Sequence, residues 1–400
     1  MSSANLIAHR YKKELVFGEL NPGGTWQDVS KTSAQFSGTP DTIVSATIRS
    51  DRLSSGNVIT GMTVNATLSN ELSRTVVHDE FLEATMMDPW EATPAPIGPI
   101  DLDYTAATGI LTSVAGGLDG LAVGDAFTIT GMTVDAAAYN LTTVFVVLVV
   151  TDGNTITAVT SSAVEDFADA AATIQGDAQV IIGKVMSSYT WEKQYLDLTD
   201  KAIDYYGEVF SSFTASFNYG AAVTIDYEMQ GAGKTIPTTP LTQPAGADPV
   251  LPAPTEDFFN VATSMPLLIM DGEVATSCIE GITVSLDNGL SAKNCVGTLK
   301  KAGYDLGTAS VEVTVNAHFS DANFDFLQKI LDQDTVTIAW PVVDSDGYGY
   351  HFQVSCQLTA DDPDADGGQD SQAMLALTGG GAIGADGTML VISKLGGDLP

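Results

Sequence analysis

The feature that most constrains this chain is a strand-like motif that occurs twice. Residues 63–69 read Thr-Val-Asn-Ala-Thr-Leu-Ser, and residues 314–320 read Thr-Val-Asn-Ala-His-Phe-Ser. Apolar and polar positions alternate through both. Met62, Val64, Ala66 and Leu68 stand against Thr63, Asn65, Thr67 and Ser69; Val313, Val315, Ala317 and Phe319 stand against Thr314, Asn316, His318 and Ser320. A period of two places one set on a buried face and the other on a wet one, as in a half-buried strand. Each motif runs on into a short amphipathic pattern, residues 78–86 in the first copy and 323–331 in the second. The unit predicted is a strand followed by a helix, present twice, which is the signature of a duplicated domain.

Both halves then continue in the same order. Residues 189–197 match 336–344, residues 205–217 match 348–358, and residues 225–233 match 373–381. The order predicts a mainly β chain of two tandem β-sandwich domains, each with a short flanking helix. The first domain is interrupted. Pro89 and the prolines of residues 93–99 open a stretch rich in Ala, Thr, Val and Gly that has no basic residue until Lys184. Its turns at Gly116-Gly117, Gly131 and Asp152-Gly153-Asn154 predict a small inserted all-β module. The expected boundaries are therefore 1–92 with 185–233 for the first domain, 93–184 for the insert and 257–400 for the second domain. Residues 234–256 hold six prolines and read as a linker or arm, since proline at that density cannot enter a sheet. Further strands are expected at Glu14–Phe17 and Thr42–Arg49, and a hairpin turn at Asp287-Asn288-Gly289. A partial third echo of the motif at 131–136 has no helix pattern behind it and is read as chance.

Composition narrows the function. The chain has 400 residues, enough for two or three domains with proper cores. Sixteen Lys and Arg against fifty Asp and Glu give a formal net charge of −34. Such a surface repels phosphate backbones and argues against a conventional nucleic-acid binder. Cys278, Cys295 and Cys356 are too few and too odd in number for a disulfide framework, and their strand-like surroundings predict small buried thiols. The N-terminus lacks the apolar stretch of a signal peptide, and the longest apolar run, Val144–Val150, is too short to span a bilayer. Synthesis in a cytoplasm and no membrane partner are expected.

Motifs for chemistry are weak. Gly233-Lys234-Thr235 resembles the end of a phosphate loop, but Glu228 stands where that loop needs a glycine. Residues 362–367 (Asp-Pro-Asp-Ala-Asp-Gly) match the start of a calcium loop and Asp370 its ninth position, yet Ala373 occupies the place of the bidentate Glu. The turn reads as solvated and acidic, with a looser calcium site as the alternative. His9, His78, His318 and His351 show no metal-ligand spacing. No catalytic residue, cofactor or metal ligand is assigned, and an enzyme is not expected.

Taken in order, the motifs resemble the tail tube (major tail) proteins of long-tailed bacteriophages. The resemblance rests on residues 14–18 with Trp26, on residues 45–52 followed by the first Thr-Val-Asn-Ala strand, on 195–199 leading to 213–217, and on 282–289. Within the insert, residues 123–131 and 154–158 resemble small β modules of phage tail proteins. The resemblance implies tail-tube-like β-sandwiches that assemble into stacked rings, a hollow tube through which DNA is ejected, a place in the virion tail, and contacts with other tail proteins. It implies that DNA passes without specific binding, and it makes the insert an outward decoration. Because the domain is duplicated, trimeric pseudo-hexameric rings are expected in place of hexamers. Asn65, Thr67, Asn316 and His318, the polar face of the repeated strand, become the candidates for lumen or neighbour contacts. The competing reading is an acidic extracellular calcium-dependent surface or adhesive β-protein.

Overall fold

A computed structural model describes residues 6–20, 23–46, 56–91, 97–114, 116–132, 143–242, 248–360, 373–384 and 387–396. The first half contributes β1 (Ile7–Lys13), β2 (Trp26–Asp28), β3 (Ser33–Val44), β4 (Asn57–Glu71) and helix α1 (Val76–Met86). The insert follows with β5 (Ile97–Thr105), β6 (Ile110–Ser113), β7 (Ala126–Thr130), β8 (Val144–Asp152), β9 (Thr155–Thr160) and β10 (Phe167–Gly176). The chain returns through β11 (Gln179–Ile181), β12 (Tyr189–Tyr195), β13 (Ala202–Asn218), β14 (Thr224–Gly231), β15 (Gly233–Thr235) and β16 (Val250–Leu251). Next come the short helix α2 (Val261–Ser264), β17 (Ile269–Met270), β18 (Glu273–Val274), β19 (Ile279–Asp287), β20 (Ser291–Lys293), β21 (Gly303–Asp305) and β22 (Ser310–His318). Helix α3 (Asp321–Asp332), β23 (Thr335–Val343), β24 (Gly349–Thr359), β25 (Met374–Gly381) and β26 (Leu390–Leu395) complete it. The fold is mainly β.

The repeated motif forms matching strands. In β4 the side chains of Val64, Ala66 and Leu68 are buried and those of Thr63, Asn65 and Thr67 exposed; in β22 Val313, Val315 and Ala317 are buried. Pairing repeats with it. β4 lies between β3 and β14, and β22 lies between β19 and β25. β12 pairs β13 as β23 pairs β24, and β1 pairs β12 as β17 pairs β23. Asn65 faces Gln230 and Asn316 faces Ala376 across these ladders. Gln230 and Ala376 are thus counterparts, two residues away from the alignment that the sequence suggests.

The two copies meet in one sheet. β13 is long enough to serve two layers: its first half pairs β12, and its second half pairs β14 on one side and β19 on the other. The junction carries one continuous core. Tyr11, Phe81 and Phe210 of the first copy pack with ring centroids 5.0 Å apart in sequence, and Phe217 at the end of β13 lies 5.5 Å from Trp340 and 5.4 Å from Phe352 of the second. Polar bonds add to it: Asp79 of α1 accepts from the Tyr350 hydroxyl at 2.7 Å and pairs with Arg74 and with Lys394 (3.1 Å).

Strands β5 to β10 form a closed barrel in the order β10-β5-β6-β9-β8-β7 with its own core around Phe127, Phe145 and Ile156. The barrel rests on the second copy, where Val144 and Val146 pack with Leu267, Ile269 and Ala339. This explains the apolar start of β8, Val144–Val147, which is buried on both faces and has no reason to alternate.

Several local expectations are corrected. The strand expected at Glu14–Phe17 lies earlier, at β1, because the Glu14 carboxylate closes a turn. It accepts from the backbone N–H groups of Gly18 and Gly207 (both 2.8 Å) and from the hydroxyls of Ser188 and Thr190 (both 2.7 Å). Thr42–Arg49 is strand only to Val44, and residues 47–55 lie outside the described residues. Asp287-Asn288-Gly289 turns through a left-handed Gly289 (φ 56°) but does not close a hairpin; it sends the chain into the separate β20–β21 ladder. Cys356 is buried, whereas Cys278 and Cys295 are exposed, because both lie just outside the strands. Described residues of the proline-rich stretch run along the first copy, where β16 pairs in parallel with β2 and Asp248 accepts from the Trp26 indole N–H at 3.1 Å. The acidic turn at 362–370 and most of the third echo at 131–136 lie outside the described residues.

Candidate assembly surface

Residues directly opposite in a ladder share a face, so the register of the joined sheet can be followed across strand by strand. One row runs Ser33, Ser69, Asp226, Thr214, Ser285, Glu312, Gly380, Gln357. The row beside it runs Gln35, Thr67, Glu228, Ser212, Asp287, Ser310. On the other side lies Glu71, Thr224, Ser216, Thr283, Thr314, Thr378, Thr359. Every one of these side chains is polar or glycine. All of them are exposed or half-buried.

The strands thus stand in the order β3-β4-β14-β13 and then β19-β22-β25-β24, four from each copy. None of the eight contains a Lys or Arg. The face is concave, and a hollow of about 1100 Å³ is lined by Asp226, Glu228, Asp287 and Glu312 among hydroxyl side chains. The opposite face buries Val64, Phe213, Val284, Val313 and Leu377 in the common core.

The four candidates from the sequence lie on the polar face. Asn65 and Thr67 project from β4, and Asn316 from β22, all exposed. His318 is half-buried at the end of β22, with Nε2 at 3.2 Å from Oε1 of Glu280. Sequence reasoning stopped at the two repeated strands and missed the carboxylates of β14, β19 and β22. The signal was present in part, since Asp226 and Glu228 alternate with Ile225, Tyr227 and Met229. That these strands adjoin was not readable locally.

Among the described residues, none of the buried titratable side chains lines this hollow. Burial raises the Glu208 carboxyl to about 8, with Glu14 adding to the rise, and raises Asp177 to about 8. Burial lowers His9 and His351 to about 3 and His78 to about 4. Among the described residues no group of three or more His, Cys, Asp or Glu is placed to hold a metal ion.

The repeated β fold thus carries a broad, hydroxylated and acidic sheet face. The chain belongs to the phage tail tube protein family, whose model matches residues 4–381. It is a component of the virion tail, and the family is one of structural proteins. Comparison with curated proteins finds no match. No helix among the described residues is long and apolar enough to cross a membrane.

Proposed function

We propose that three copies of this chain close into a pseudo-hexameric ring, and that stacked rings form the tube through which DNA leaves the particle. The observation that carries this is the β13–β19 ladder. It joins the last strand of the first four-strand set to the first strand of the second. Repeating the same joint between chains brings β24 of one copy beside β3 of the next. Three chains of eight strands then close a barrel roughly 45–50 Å across between backbones, wider than a DNA duplex.

In such a ring the polar face lines the bore. Its carboxylates and the lack of Lys and Arg on its strands keep phosphates from sticking, so DNA slides without specific binding. The domain division follows: 1–92 with 185–233 and 257–400 are the two tube units, 234–256 is an arm laid along the first, and the 93–184 module decorates the outer wall. The barrel's packing against β17, β23 and β26, strands outside the polar rows, supports that side of the wall. Other tail proteins cap the two ends of the tube. Native mass spectrometry of single rings, or cryo-EM of tubes, tests the reading. Three chains per ring are expected; six would overturn it.

A further inference from the structure

The joint inside the chain has a second layer. The β20–β21 hairpin branches from β19 and β22 and folds back over the first copy. Its Tyr304 packs with Met87 and Val209, and the Tyr304 hydroxyl donates to the Gly231 carbonyl at 2.8 Å. The Lys301 backbone N–H donates to the Ala232 carbonyl at 3.2 Å. Beside it, the Asn288 side-chain amide donates to the Thr85 carbonyl at 2.7 Å, which seals the last turn of α1. Thr85 and Met86 have no exposed surface.

The same parts recur elsewhere in the chain with less cover. Beyond a bulge at Asp41/Thr42, the β3–β4 ladder pairs Thr42 with Ile59, Ile43 with Val58 and Val44 with Asn57. Its counterpart pairs Ser291 with Asp305, Ala292 with Tyr304 and Lys293 with Gly303. The first ladder ends in four apolar side chains that remain 51–62% exposed: Ile43, Val44, Val58 and Ile59. Helix α3 is the counterpart of α1. Each ends on a left-handed residue, Gln333 (φ 57°) and Met87 (φ 58°). Yet Leu331, two positions before Gln333 as Thr85 is before Met87, is 77% exposed, and Phe324 is 58% exposed. Phe326, Leu327 and Ile330 of α3 pack against the common core, but Phe324 and Leu331 at its two ends, and the Ile and Val side chains of the β3–β4 ladder, stay in water, and exposed apolar groups of this kind mark contact surfaces.

We infer that the β3–β4 hairpin of one chain clasps the last turn of α3 in the next chain, as β20–β21 clasps α1 within a chain. The occupant of both faces is a second copy of this protein. The inference rests on the ring reading above and adds to it a named contact outside the bore.

The test uses the full chain carrying Cys278→Ser and Cys295→Ser, which removes the two exposed thiols. Val58→Cys and Leu331→Cys are added together, and assembled tubes are treated with a flexible bismaleimide. Covalent dimers and closed trimers are expected on a denaturing gel, and neither single cysteine variant should give them. Rings of three chains that yield only monomer bands overturn the clasp and leave the ring reading standing. Rings of six overturn the ring reading and the clasp built on it. Leu331→Glu supplies an independent readout: because the side chain is exposed, the isolated chain should unfold at an unchanged temperature while tube yield falls at least tenfold. Tubes at the ordinary yield overturn the clasp.

Discussion

Glu208 sits fully buried on β13, and among the described residues no hydrogen bond reaches either carboxylate oxygen. Burial moves it from 4.5 to about 8. Below about 4.5 the folded and unfolded chains are both protonated there, and the favourable contribution of the neutral buried acid is fully present. As pH rises toward about 8 the unfolded chain has released the proton that the folded chain still holds, so stability falls. Glu208→Gln keeps the shape and removes the proton. The variant should lose most of this decline, and thermal melts at pH 5 and pH 8 should lie closer together than in the parent. An equal gap in both proteins would reject the assignment. The same logic runs the other way for His78, held neutral by burial at about 4, whose contribution is lost as pH falls.

Among the elements, the two longer helices, α1 and α3, show how one pattern meets two environments. In α1 the side chains of Val77, Phe81, Leu82 and Met86 are buried, and the Thr75 hydroxyl caps the first turn by accepting from the His78 N–H at 3.1 Å. Phe81→Ala should destabilise the isolated chain by about 3–5 kcal/mol in denaturant melts, since the ring sits among Tyr11, Trp191, Phe210 and Tyr227. A loss below about 1 kcal/mol would show that this core relaxes around the gap. β4 and β22 were legible because one face is wet and the other dry. β1 was not: these residues read as part of a short tail leading to Glu14, and they form a strand by pairing with β12 along their whole length, with His9 stacked on Phe36 and Lys12 over Trp26. The order of the strands of the polar face was also hidden, because Ser212 meets Asp287 across a long separation in sequence that local periodicity cannot register.

For the molecule as a whole, the sequence showed an excess of acid without saying where it lies. The register answers part of that question, since Asp226, Glu228, Asp287 and Glu312 share one concave face. If this face meets DNA, replacing its charge should act on passage and leave assembly alone. Asp226→Lys with Glu228→Lys, both exposed positions, should form tubes at the ordinary yield. Particles carrying them should release DNA more slowly, most of all at low ionic strength, where phosphate attraction is least screened. Dye-labelled ejection measured across a salt series reads this directly, and unchanged release at every salt concentration would rule the face out as the conduit.

The β13–β19 ladder also bears on the order of events. It lies within one chain, so in the proposed three-chain ring half the joints are made before two chains ever meet. Closing the ring then takes an encounter of three bodies where unfused units would need six, and each remaining joint is met by a partner already shaped to receive it. Nucleation of such a ring should therefore depend far less steeply on protein concentration than it would for unfused units.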